Sequence, residues 1–236
     1  MSDPVAAGPA HAYGVGVKIC GLTRVGDAAH AVEAGASHIG AIMAGGPRLL
    51  TIERARAVLG PRGQNQQRVV VFGDQQLADI IVTVHALDLD ITQLHGACTP
   101  TSIEAIRRET GCEVWPVLRV AGTTLPADAA ALAAAAGAVV LDAHVVGQLG
   151  GTGVALDWSG LHDAVQALRA SVSGVRVILA GGLRPTNVIK AIQLLSPDVV
   201  DVSSGVESET GVKDPKLVEQ FVAAVRSAAG MQRGLW

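Results

Sequence analysis

The chain has 236 residues, 49% of them hydrophobic but only 3% aromatic, and a formal net charge of −3. That length supports one large core, and no apolar run approaches the roughly 18 residues that span a membrane. No block of Lys or Arg points to nucleic acid as a partner, and the three cysteines lack CxxC spacing, which fits a reduced, cytoplasmic protein.

Residues 1–14 have neither the basic nor the apolar segment of a signal peptide and read as a flexible extension. From there strand-like and helix-like segments alternate. An apolar run at 15–20 precedes a helix at 27–34, and a strand at 37–43 precedes a helix at 51–59 with Thr51 as N-cap. Residues 68–72 (RVVVF) have the continuous apolar character of a parallel strand buried on both faces. Asp74 is expected to cap the next helix, whose Leu77, Ile80, Ile81 and Val84 keep helical spacing. A strand at 90–94 leads to a helix opened by Pro100, and a strand at 113–120 contains Pro116, an awkward residue for a central strand.

The alanine-rich run around 132–136 is helical, 138–142 (AVVLD) is the sixth strand, and a glycine-rich loop fills 146–153 before Asp157 caps another helix. Strands at 177–180 and 199–202 flank a helix at 186–195, and the final helix starts at Asp214-Pro215. Eight βα units in a chain of this length predict a closed (β/α)₈ barrel over 15–230 with a short tail at 231–236. No GxGxxG follows the first strand, which argues against a dinucleotide fold.

In such a barrel the active site lies over the C-terminal ends of the strands. The last two strands run into Gly181-Gly182 and Ser203-Ser204-Gly205. Two small-residue turns one βα unit apart let backbone N–H groups converge on an anion, so these five residues are expected to bind phosphate. Other strand ends bring Lys18 and Cys20 on one face, Arg48, Gln93 with His95, Arg119, Asp142 and Asp201. Each has a plainer alternative. Cys20 could be a small buried hydrophobe, Asp142 a loop cap, Arg48 a solvated loop residue and His95 a core-edge histidine. Lys18 on the same strand face is expected to favour a Cys20 thiolate. No His, Cys and Asp cluster has ligand spacing, so no metal is expected.

The run Lys18-Ile19-Cys20-Gly21-Leu22-Thr23 resembles the opening motif of the phosphoribosylanthranilate isomerases of tryptophan biosynthesis. So do Pro47-Arg48, Gln93-Leu94-His95-Gly96, Leu141-Asp142, Gly150-Gly151-Thr152-Gly153 with Asp157-Trp158, Leu179-Ala180-Gly181-Gly182-Leu183 and the run from Asp201 to Glu207, in the family's order. The resemblance implies an Amadori rearrangement of a phosphosugar amine, with Asp142 as general acid, Cys20 as general base, Arg48 facing the anthranilate carboxylate, and no cofactor. Lys18, His95, Gly151, Gly153 and Asp201 join Arg48 as expected substrate contacts, in a monomer or homodimer. Met43–Arg48 lacks the family's usual aromatic and Ser–Pro, and Phe72-Gly73-Asp74 replaces its Phe-Val-Asn, which leaves substrate breadth open. The rival readings are a histidine-pathway or dual-substrate sugar isomerase, which would carry aspartate where Cys20 stands, and a non-catalytic phosphosugar-binding paralogue.

Overall fold

The computed structural model describes residues 14–63, 66–143 and 156–233. The glycine-rich loop expected at 146–153, with Gly151 and Gly153, lies outside the described residues, as does residue 1–13 of the expected extension.

Eight parallel strands close into a barrel in chain order: β1 (Gly16–Ile19), β2 (His38–Ile42), β3 (Gln67–Phe72), β4 (Ile91–Leu94), β5 (Glu113–Val120), β6 (Ala138–Ala143), β7 (Arg176–Leu179) and β8 (Val199–Val202). Helices α1 (Val25–Ala34), α2 (Ile52–Leu59), α3 (Leu77–Leu87), α4 (Pro100–Thr110), α5 (Ala129–Ala136), α6 (Trp158–Ser171), α7 (Val188–Leu195) and α8 (Pro215–Arg233) surround it. The expected fold class is the observed one. Closure rests on β1 pairing with β8, where Lys18 lies in register with Asp201.

The core has two parts. The larger packs the outer strand faces against the helices and includes Ile19, Phe72, Leu118, Leu141, Ile192 and Phe221. The smaller fills the barrel interior with Val69, Ile91, Trp115, Val117, Ala138, Val140, Ile178, Ala180 and Val199. With few aromatics available, small residues let elements approach closely. Helix α5 is AAALAAAA, and Ala129, Leu132, Ala133 and Ala136 are its buried side.

Thr51 accepts from the Arg54 N–H and Asp157 from the Gly160 N–H, so both caps form as expected. Asp74 does not cap α3. Helix α3 starts after Gln76 with no side-chain cap, and Asp74 Oδ1 instead accepts from the Ala97 N–H at 3.1 Å. The close approach of Gly96 to Gly73 and Asp74 draws that carboxylate across to the next loop. Helix α7 starts at Val188 rather than 186, because Arg184 and Asn187 are used in a turn closed by Arg184 N–H to Asn187 Oδ1 at 2.7 Å. Pro116 sits at a handover: it is the last residue of β5 in register with β4, and pairing with β6 begins at Val117. A missing N–H costs least at such a place.

A short hairpin, β9 (Glu207–Glu209) with β10 (Val212–Lys213), follows β8 and a 3₁₀ turn at Ser204–Val206. It is fastened to the start of the chain. Thr23 Oγ1 donates to the Gly211 carbonyl at 2.5 Å, and the Lys213 N–H donates to Asp27 Oδ2 at 2.9 Å. Among the described residues, no helix is long and apolar enough to cross a membrane.

Candidate active site

Over the C-terminal ends of the strands lies an open cleft with a cavity volume of about 120 Å³. Cys20, Arg48, Gln93, His95, Asp142, Asp201 and both small-residue turns line it, so the fold brings together every expected site residue that lies among the described ones except Lys18, which is fully buried and bonded to the lining residues Gln93 and Asp201.

Lys18 is fully buried. Its ammonium donates to Asp201 Oδ2 at 2.7 Å and to Gln93 Oε1 at 2.9 Å. Burial opposes its charge, but Asp201 and Cys20 outweigh that cost and hold its pKa above the ordinary lysine value. Cys20 stands two residues along the same strand face. Opposite it, β2 carries Gly40, where a Cβ would lie 3.1 Å from Cys20 Sγ and 3.2 Å from Lys18 Cε. The missing side chain therefore makes room for the cation and thiol together.

The expectation that Lys18 lowers the Cys20 pKa needs correction. Lys18 does pull it down, but burial pushes harder, and the thiol lies above its ordinary value. The physical reason is lost solvation: the buried sulfur pays more for a charge than Lys18 returns, and Asp201, 2.7 Å from Lys18, opposes part of that pull.

On the rim beside Cys20, Arg48 forms a two-point fork with Glu207, Nε to Oε1 at 2.8 Å and Nη2 to Oε2 at 2.6 Å. Lys213 from β10 donates to the same Glu207 at 2.7 Å and to the Ser203 carbonyl at 3.1 Å. Burial disfavours the Glu207 charge, yet the hydrogen bonds from Arg48 and Lys213 prevail and hold its carboxyl below the usual range. Two cations around one carboxylate leave one positive charge in excess beside the cleft, suited to an anionic group.

Across the cleft, His95 Nε2 lies 3.2 Å from Asp142 Oδ2. Arg119 Nη2 lies 3.3 Å from His95 Nδ1 and donates to the His95 carbonyl at 2.8 Å. A guanidinium can only donate. Nδ1 therefore accepts, the ring proton sits on Nε2, and that proton points at Asp142.

Gly181 and Gly182 both adopt left-handed backbone, φ 84° and 66°, which a side-chain-bearing residue holds only under strain. Asn187 Nδ2 donates to the Gly182 carbonyl at 3.0 Å and fixes the turn. Arg184 is exposed. Ser203 Oγ and Asp201 Oδ1, both on cleft-lining residues, are buried without a hydrogen-bond partner among the described residues. Sequence reasoning placed Gln93 and Arg119 on the rim without a role and did not single out Glu207, Lys213 or Asn187. Glu207 ends the run that starts at Asp201 and Arg119 lies next to the end of β5, but Lys213 belongs to a two-residue strand with no periodicity to read.

A closed barrel with its titratable groups gathered over the strand ends, beside paired glycine and serine turns, defines a (β/α)₈-barrel enzyme. The family described as N-(5'phosphoribosyl)anthranilate (PRA) isomerase matches residues 17–224. An N-(5'-phosphoribosyl)anthranilate isomerase of Pseudomonas fluorescens is 39% identical over 215 residues, 90% of this chain and 96% of that protein. The crystal structure of the Thermus thermophilus phosphoribosyl anthranilate isomerase superposes with a TM-score of 0.75 at 32% identity, covering 90% of this chain and 99% of that one. A phosphoribosyl anthranilate isomerase in complex with reduced 1-(o-carboxyphenylamino)-1-deoxyribulose 5-phosphate gives 0.72 at 27% identity, with the same coverage. The chain belongs to the N-(5'-phosphoribosyl)anthranilate isomerase family and is an isomerase.

Proposed function

We propose that the chain carries out the Amadori rearrangement of N-(5-phosphoribosyl)anthranilate to 1-(2-carboxyphenylamino)-1-deoxyribulose 5-phosphate in tryptophan biosynthesis, with Asp142 as acid and Cys20 as base. The observation that carries this reading is the arrangement of one cleft: a carboxyl on β6 and a thiol after β1 line it together with the turns after β7 and β8.

The steps are those the family resemblance implies, fitted to that arrangement. The 5-phosphate binds Gly181, Gly182, Ser203, Ser204 and Gly205, chiefly through backbone N–H groups and hydroxyls. The anthranilate carboxylate meets Arg48, whose fork with Glu207 fixes its plane. Asp142 gives its proton to the ring oxygen. The C1–O bond breaks, and the nitrogen lone pair forms the C=N bond of an iminium. The Cys20 thiolate then takes the proton from C2. An S–H bond forms, the C–H pair becomes the C1=C2 bond, and the iminium is neutralised to an enolamine. The enol O–H gives up its proton as C1 gains one, which yields the ketone. No external electron sink is required, because the substrate nitrogen supplies it. Asp201 meets the sugar with Lys18 buried behind it, and Gly151 and Gly153 are proposed contacts from the loop after β6.

The test is turnover of phosphoribosylanthranilate by the purified protein, followed as loss of its fluorescence. Tight binding of the reduced product analogue without turnover would favour the paralogue reading. Faster turnover of the histidine-pathway aminoaldose than of the anthranilate would favour the rival isomerase.

A further inference from the structure

Lys18 has three protons to place and a carboxylate, an amide oxygen and a thiol around it. Asp201 Oδ2 and Gln93 Oε1 take two of them at 2.7 and 2.9 Å, and Cys20 shares the cation's field from the same strand face. Asp201 has a second oxygen, Oδ1, which is buried, without a hydrogen-bond partner among the described residues, and belongs to a residue of the cleft wall. A buried carboxylate oxygen with no donor is costly, and a ligand hydroxyl is the group that would satisfy it.

We propose that Asp201 withholds the Lys18 charge from Cys20 in the unliganded protein, and that a sugar hydroxyl donating to Asp201 Oδ1 releases that charge so that the thiolate forms with substrate bound. A hydrogen bond to Oδ1 draws negative charge away from Oδ2. The Lys18 ammonium is then less fully answered, and its field falls on the adjacent sulfur. The base is thus weakly ionised until the group it must act on is in place. Asp201 and Lys18 are positioning residues here, acting through Cys20. The other charged groups around Cys20 are Arg48 after β2, Glu207 on β9 and Lys213 on β10, tied into one cluster, and Asp142 on β6, which lies near enough to oppose the Asp201 charge. The inference rests on the reading of Cys20 as the base, but the electrostatic coupling is measurable without turnover.

The experiment uses the full-length protein with Cys98→Ala and Cys112→Ala, so that Cys20 is the thiol observed. Its ionisation midpoint is read from ultraviolet thiolate absorbance against pH, with and without ribitol 5-phosphate, which bears the sugar hydroxyls and no chromophore. Saturating ribitol 5-phosphate is expected to lower the midpoint by about half a unit or more, and Asp201→Asn by about one unit or more, with little further fall on adding ligand. Adding Lys18→Met to Asp201→Asn should restore a midpoint at or above the parent's. A midpoint that ignores bound ribitol 5-phosphate overturns the release step, and this arm needs no substitution at the site. A midpoint that does not fall in folded Asp201→Asn, or that stays low in the double variant, overturns the coupling. If these shifts appear but Cys20→Ser keeps turnover within about threefold, the coupling stands and the assignment of the base falls.

Discussion

The two sides of the cleft are built differently. Around Cys20 the neighbours are buried ion pairs: Lys18 against Asp201 below, and Arg48 and Lys213 against Glu207 on the rim. On the other side Asp142 meets a histidine held in one tautomer by Arg119, and that contact is a directed hydrogen bond. The lesson is that one fold tunes its two groups by different means. On the thiol side substitutions change how readily a proton leaves. On the carboxyl side they change where a proton points.

The strongest way to break the comparison is to remove the two groups themselves. Cys20→Ser and Asp142→Asn should each lower kcat by about two orders of magnitude or more, since general acid and base groups contribute about 10²–10⁴-fold. Calorimetry with the reduced product analogue should show affinity nearly kept in both. A Cys20→Ser protein within about threefold of the parent would remove the thiol from the chemistry. The pH dependence gives the same contrast. The thiol is active when deprotonated, and burial raises its pKa, so kcat/KM should climb through neutrality and level only above the ordinary thiol range of about 8.5. A plateau already reached at neutral pH would mean the sign is wrong.

Next in size is the anion cradle shared by both sides. Gly182→Val places a side chain on left-handed backbone and blocks close approach, so KM should rise by about tenfold or more. Arg184→Ala should change KM by less than about twofold, because a backbone cradle needs no cation. The reverse order in phosphate affinities would make the site an arginine clamp.

Smaller effects sharpen the contrast. Glu207→Gln weakens the fork that aims Arg48 and should raise KM by up to about tenfold with kcat little changed. Arg119→Gln releases His95 from its tautomer and should cut kcat by a few-fold, about 3–10, with KM kept. Steady-state kinetics on the pair test whether one side binds and aims the substrate while the other orients the acid. If Arg119→Gln acted through KM instead, the directed contact would not be what holds Asp142 in position.

Most of the barrel could be read in advance because parallel strands buried on both faces are continuous apolar runs. The expected ends of β5 and β8 match those observed. Caps that act within a few residues, Thr51 and Asp157, were equally legible. What escaped were partners far apart in sequence. Asp74 looked like a helix cap but serves Ala97, 23 residues on. Lys213 and Glu207 sit on strands of two and three residues, too short to show a period. The direction of the Cys20 shift was also hidden, because it depends on how deeply the sulfur lies and on Asp201, not on Lys18 alone.

The seam between β1 and β8 has a consequence for how the protein is made. Lys18 and Asp201 are 183 residues apart, and the hairpin at Glu207–Lys213 laces the final unit back onto Thr23 and Asp27. His95 and Asp142, by contrast, are separated by 47 residues within the middle of the chain. Contacts that close long loops carry a larger entropic cost and form late. During synthesis the carboxyl half of the site has its partners well before the thiol half, and Cys20 lacks its buried setting until the last strand has left the ribosome and been stitched in. The ionisation of that one thiol is therefore a built-in reporter of ring closure.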